Sequence, residues 1–206
     1  MSSSDTQIRA AKDARRPYRL GKRGEKQSET RRRIVEAAVE LHGTIGPART
    51  TVSQIAERAG VQRHTFYAHF PDERSLLLAC SGLSLERDPL PRVEDWARLA
   101  PGRERLREGL GQLYGWYARN AQLAACVLRD AADHPPTGEI VELRMGPTFA
   151  RASELLGEGL SECQRDLLGV ALDFACWRNL SERRSPDAAA ALMAKAVNAL
   201  DDGSEV

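Results

Sequence analysis

Apolar residues recur along this chain at spacings of three and four, and no stretch alternates in the manner of a strand. The clearest case is Thr50–Phe70, TTVSQIAERAGVQRHTFYAHF, where Val52, Ile55, Ala56 and Ala59 fall at i, i+3, i+4 and i+7. That spacing predicts one buried face of a helix of about two turns. Thr51 before it is an N-cap, and Gln54 three residues on completes a capping box, in which each side chain satisfies an orphan amide at the helix start. Gly60 stands where a helix-ending residue with positive φ is wanted, and Val61 tucks into the turn. Beyond it the text changes: Arg63, His64, Thr65, Tyr67 and His69 are polar, long or aromatic, while Phe66 and Phe70 keep one apolar edge four apart. A packing helix, a glycine turn and a second helix with a donor-rich outer face form a helix-turn-helix pattern, whose second helix would lie in a DNA major groove.

The same pattern organises the rest. Ser28 can cap a helix running to about Thr44, with Ile34, Ala37, Ala38 and Leu41 as its stripe, ended by Gly43, Gly46 and Pro47. Arg31, Arg32 and Arg33 would then sit in a first turn, where the helix dipole disfavours cations. Either a partner anion or a solvated face accounts for them. Asp72 caps a Leu-rich helix from about Leu76 to Leu85; a short piece around Val93–Leu99 holds Trp96; helices follow at about Glu104–Arg119 and Ala121–Ala132. Pro135–Gly138 is expected to break the chain, Glu139–Leu156 to resume a helix kinked or split at Gly146-Pro147, and Glu162–Arg183 to form one long helix. Ser185-Pro186 opens the last helix, to about Leu200. The class is therefore all-α: an N-terminal three-helix helix-turn-helix domain over 28–74 and a C-terminal helical domain over 75–206, preceded by a basic segment, 1–27, expected to be largely disordered alone.

Charge sharpens this picture. The net charge is only +1, but Met1–Ser75 carries 15 Lys/Arg against 9 Asp/Glu, and Leu76–Val206 carries 15 against 20. A basic end joined to an acidic remainder is what a chain shows when one end meets phosphate. No run of about 18 apolar residues offers a membrane span and the start is polar, so a cytoplasmic protein without a membrane partner is expected. Cys80, Cys126, Cys163 and Cys176 lack metal or redox spacing and sit in apolar helical text, where reduced packing residues are expected. His42, His64, His69 and His134 are not spaced with Ser, Cys or carboxylates as a triad or metal site requires, and the glycines fall singly. Neither catalysis nor a cofactor or metal is expected.

Thr51-Val52-x-x-Ile55-Ala56-x-x-Ala59-Gly60-Val61, followed by Thr65-Phe66-Tyr67-x-His69-Phe70-Pro71, resembles the N-terminal domain of the TetR family of bacterial transcriptional regulators. The likeness runs from near Thr30 to near Leu78. On chemistry, Arg63 can fork onto guanine and His64 can meet a base edge, while Tyr67 offers a ring to a thymine methyl and a hydroxyl to phosphate. Thr51, Thr65 and His69 suit phosphate, and the matching positions in the family contact the backbone. Two departures stand out: Gln62 replaces a small capping residue, so that this helix start is less well capped or Gln62 itself reaches a base. Glu73 replaces a common Lys, with Arg74 beside it able to compensate. The resemblance implies a homodimer on an operator, a pocket for a small-molecule effector, and a repressor released by it. Candidate lining residues are Leu113, Trp116, Tyr117, Met145 and Phe149, although an aromatic stripe at helical spacing is more often plain core. Gly109, Gly111 and Gly115 thin one helix so that something can approach closely. Small-residue faces near the end, with Ala171, Phe174, Ala175, Leu192, Met193 and Ala196, are candidates for a twofold interface, unless they close the monomer core. The rival reading, a DNA-binding or nucleoid-type protein without an effector, would show salt-sensitive binding lacking sequence preference.

The arm residues Arg15, Arg16, Arg19, Lys22, Arg23 and Lys26 either solvate the chain or lie along the duplex beside the reading helix. Removing about the first twenty residues is expected to lower DNA affinity and flatten the slope of log K against log salt. An unchanged slope would assign the arm to solubility alone.

Overall fold

The computed structural model describes residues 3–200, with side chains from Gly24 onward. Ten α-helices run through these residues: α1 Ser3–Thr44, α2 Val52–Ala59, α3 Arg63–His69, α4 Glu73–Arg87, α5 Arg103–Arg119, α6 Ala121–Ala131, α7 Pro135–Leu156, α8 Glu162–Leu172, α9 Phe174–Ser181 and α10 Pro186–Ala199. Short 3₁₀ turns occupy Pro47–Arg49 and Val93–Arg98.

Two apolar cores result. The smaller joins Ile34, Ala38, Ile55, Ala59, Phe66, Phe70, Leu76 and Cys80 from α1 to α4. The larger gathers Trp96, Leu106, Leu110, Tyr114, Tyr117, Leu156, Leu168, Trp177 and the small residues of α10 around α5. Helix α4 serves both sides, so the expected boundary at residue 74 falls inside a shared element rather than a linker. Leu76 and Cys80 face the smaller core, and Leu85 packs against the larger.

Three helix boundaries differ from expectation. Ser28 does not open α1, which continues back to Ser3, so Arg31, Arg32 and Arg33 lie in mid-helix and meet no terminal dipole. Glu, Lys, Gln and Arg in this stretch are strong helix formers. Arg32 is also forked between Glu29 and Glu36 at 3.0 Å each, and Arg31 lies 4.8 Å above the Phe70 ring. The backbone of the expected arm thus belongs to α1 from Ser3, while the side chains of Arg15, Arg16, Arg19, Lys22 and Arg23 lie outside those described. Pro135 opens α7 instead of breaking the chain, because a proline in the first turn gives up an amide that has no partner there anyway. Pro147 lies inside α7 without ending it. The long helix expected over Glu162–Arg183 is two: Asp173 ends α8 and caps α9 by accepting from the Ala175 amide at 2.6 Å. At that break the Tyr114 and Tyr117 hydroxyls donate to the orphan carbonyls of Ala171 and Leu172, at 2.7 and 2.8 Å.

The two halves meet where α1 ends. Gly46 turns the chain at φ 97°, and any Cβ there would collide with Asp130 and Arg129 of α6. The Asp130 carboxylate accepts the Ala48 amide at 3.0 Å and pairs with Arg129 at 2.7 Å, and Arg129 donates to the Ile45 carbonyl at 3.0 Å. His42 is buried beside this joint. Burial lowers its pKa to about 4, and the Asp130 charge opposes that only in part. Between pH of about 4 and 6.5 the unfolded chain therefore binds a proton that the folded chain refuses. Stability is complete above the unfolded value and falls as pH drops through this window. Urea denaturation is expected to show roughly 2 kcal/mol less stability near pH 5 than near pH 7.5, and His42→Gln should remove most of that difference. An equal loss in the variant would place the acid sensitivity elsewhere.

Candidate DNA interface and effector cavity

The reading unit is built from its caps. Thr51 accepts the Gln54 amide at 3.3 Å and Gln54 accepts the Thr51 amide at 2.8 Å, which starts α2 as the sequence pattern requires. Gly60 ends it at φ 63°, in the left-handed region. Gln62 precedes α3 in extended conformation without a side-chain cap, leaving its amide group free to face outward. Phe66 and Phe70 anchor α3 in the core with ring centroids 5.9 Å apart. With that edge buried, the opposite face is fixed in space.

On that face Gln62, Arg63, His64 and Tyr67 are exposed, and Thr65 and His69 are half-buried at its margin. Among the described residues no carboxylate pairs with Arg63, so its five donors remain available for a base edge or phosphate. His64 and Thr65 lie 3.3 Å apart and can act together. Thr51 is exposed at the start of α2, adjoining the same surface in sequence and cap geometry. Tyr67, 47% exposed, is the one large aromatic of the unit left on the outside. Arg74 is the exception. It pairs with Glu139 of α7 at 2.8 Å, because α4 carries it toward α7 rather than along α3. It is therefore a bridge between α4 and α7 in this structure, and Glu73 beside it faces His134 at 3.6 Å.

The candidate lining residues divide. A cavity of about 110 Å³ lies between α1, α4, α5, α6 and α7, walled chiefly by Leu77, Leu85, Leu123 and Val127, with Trp116 and Met145 of the expected set. Tyr117, Met145 and Phe149 line an adjoining, more open groove of about 640 Å³ along α6, α7 and α9. Leu113 touches neither and is core. What approaches the thinned helix at Gly109 is not a ligand: a Cβ there would strike Leu156 and Trp96, whereas one on Gly111 would meet Ala190 of α10 only at ordinary contact distance. Sequence reading missed Arg144, His42, Ser81 and Ser84 on the cavity wall. An arginine between Leu143 and Met145 in an apolar helix was the one available signal.

The candidate interface residues divide as well. Ala171, Phe174 and Met193 are buried within the chain itself and cannot serve a partner without opening the core. The Ala-rich side of α10 is likewise consumed, since Ala189, Ala190, Ala194 and Val197 pack on α5. Ala175 and Leu192 face outward, Ala196 lies half-buried, and Val170, at 55% exposed, joins them as an apolar side chain unaccounted for by the monomer. The cysteines also split: Cys80 and Cys126 are buried packing residues, Cys176 is half-buried, and Cys163 is exposed rather than packed.

A three-helix unit presenting the uncovered face of α3, joined through α4 to a larger helical domain with an internal cavity, defines a helix-turn-helix protein of two-domain type. Residues 34–80 match the family described as Bacterial regulatory proteins, tetR family, so the likeness to that family lies in the N-terminal domain. The HTH-type transcriptional repressor KstR of Mycolicibacterium smegmatis is 34% identical over 134 residues, 62% of this chain and 65% of that protein. The HTH-type transcriptional regulator TtgR of Pseudomonas putida is 46% identical over 55 residues, 27% of this chain and 26% of that one. The chain thus spans less than two thirds of each of these relatives. Among solved structures, the transcriptional regulator FadR of Bacillus subtilis, in complex with stearoyl-CoA, aligns with TM-score 0.60 at 19% identity, over 81% of this chain and 97% of that one. This shared fold extends the likeness beyond the reading unit into the helical domain.

Arg63→Ala is expected to cost about 1–3 kcal/mol on a specific site and to relax preference at one position per half-site. His69→Ala should weaken binding to all sequences alike. Fluorescence anisotropy on specific and random duplexes separates the two, and equal losses on both for Arg63→Ala would remove it from base reading.

Proposed function

We propose that this protein is a homodimeric, sequence-specific transcriptional regulator that represses from a pseudo-palindromic operator and is released by a small-molecule effector. The observation that carries this reading is the outer face of α3: Arg63, His64 and Tyr67 stand exposed and without competing carboxylates among the described residues, on a helix locked from behind by Phe66 and Phe70. Thr51, Thr65 and His69 flank that face as phosphate contacts, and Gln62 reaches a base from its uncapped start. Specificity from so short a helix needs two copies, set about 34–36 Å apart on the duplex. The outward Val170, Ala175 and Leu192, with the half-buried Ala196, of α8 to α10 support a twofold contact that would set that spacing.

The cavity between α4, α6 and α7 is the effector's place in this reading. It touches α4, which also supplies Leu76 and Cys80 to the core of the reading unit. An effector that binds better to an arrangement with mis-spaced readers lowers operator affinity by the same factor by which DNA lowers effector affinity. Repressor activity also fits the relative KstR, which carries that description.

Footprinting on the DNA flanking the gene is expected to show a symmetric protected site, and sedimentation a dimer at micromolar concentration. Protection without sequence preference, or a monomer, would contradict the proposal.

A further inference from the structure

The cavity wall carries two titratable side chains, His42 and Arg144, amid apolar neighbours. His42 is neutral at ordinary pH because burial lowers its pKa to about 4. Arg144 is different. Its guanidinium is half-buried, Nε donating to the Ser81 hydroxyl and Nη2 to the Leu78 carbonyl, both at 3.2 Å. These acceptors are neutral and the contacts long. Among the described residues no carboxylate lies within 4.0 Å of it, whereas Arg74, Arg87, Arg105, Arg119 and Arg129 each hold one. A guanidinium with five donors, two of them spent on neutral oxygens, leaves a positive charge unbalanced beside a mostly apolar chamber whose other polar side chains, His42, Ser81, Ser84, Asn120 and Thr137, include no carboxylate. The group that satisfies it is an anion able to take two parallel N–H donors, such as a carboxylate or phosphate.

The rest of the chamber asks for an apolar body. Its volume, about 110 Å³, suits only a few carbon atoms, but Leu128, Val141 and Met145 belong to both its wall and that of the neighbouring groove of about 640 Å³. A longer chain would reach the groove by displacing these three shared side chains. We infer that the effector is an anionic amphiphile, with one carboxylate or phosphate seated on Arg144 and an apolar body running along Met145 and Leu128. Arg144 is thus the residue that selects the ligand by charge. The same exchange has a mechanical consequence: an anion that takes the guanidinium draws it from Leu78 and Ser81, both on α4. The inference rests on the effector reading above only for where the ligand sits.

The probes are decanoate, decanol and decylamine, which share a chain length and differ in charge, titrated into the full-length protein by calorimetry. Decanoate is expected to bind at least about tenfold tighter than decanol, and decylamine more weakly than either. Arg144→Gln, with its helicity checked by circular dichroism, should lose the preference for decanoate while keeping the decanol affinity, and Arg144→Lys should restore part of the preference. Equal binding of the three probes by the native chain, or a charge preference surviving in Arg144→Gln, would overturn the assignment. Decyl phosphate alongside decanoate distinguishes the two anions. Since these measurements use no DNA, they fail separately from the regulator reading. Selective binding of decanoate that leaves the footprint intact would support the anchor and count against release by this ligand.

Discussion

A buried carboxylate clasps the two halves of this molecule where α1 ends. Asp130, buried on α6, receives the Ala48 amide from the turn that follows α1 and is balanced by Arg129, whose other donor reaches Ile45. A charge taken out of water is tolerated only when its lone pairs are used, and here both oxygens are. The turn in turn needs Gly46, since the carboxylate occupies the space where a side chain would stand. Hydrogen bonds to ionised groups contribute roughly 1.5–3 kcal/mol, and removing one partner leaves the other unsatisfied in the interior. The orientation of the reading unit on the larger domain is therefore set by a small polar clasp and not by apolar area alone.

Around that clasp the apolar packing is divided in a way that suits a transmitted change. Helix α4 has one edge in the small core, through Leu76 and Cys80, and another on the cavity, through Leu77, Ser84 and Leu85. Its far end is held as well: Asp88 accepts from Arg119 and Asn120 at 2.8 to 3.1 Å, and its carbonyl accepts the Trp116 indole at 3.0 Å. Along its length α7 holds it through Arg74–Glu139 and through Arg144. A helix gripped at several points by polar contacts, most of them exposed and individually weak, can change its set of partners without unfolding either core. The larger core, by contrast, is stiff. Tyr117 lies between Tyr114, Phe149, Phe174 and Trp177 with centroids 5.2 to 6.4 Å apart, and its hydroxyl is fixed to Leu172.

What the linear text determined was whatever rests on neighbours in sequence. The capping box at Thr51–Gln54, the left-handed Gly60, the caps at Asp72 and Ser185, and the apolar edge Phe66–Phe70 all involve residues within about four positions of each other. The reading helix and its exposed face were legible for that reason, as was the all-α class. Ser28 and Pro135 were misread for local reasons, but elsewhere the deciding contact came from far along the chain. The split of α8 from α9 depends partly on Tyr114 and Tyr117, more than fifty positions away, and Arg74 was diverted by Glu139, on another helix. Ala-rich α10 reads as a face awaiting a partner, yet Ala189, Ala190, Ala194 and Val197 are buried against α5 within the chain. A cavity is the extreme case, since periodicity marks which residues turn inward but not whether the space between them is filled. Trp116 and Leu113 look alike in the text; only the packing of five helices leaves Trp116 on a chamber wall and Leu113 in solid core, and only there does Arg144 meet Leu78 and Ser81 with no carboxylate at hand.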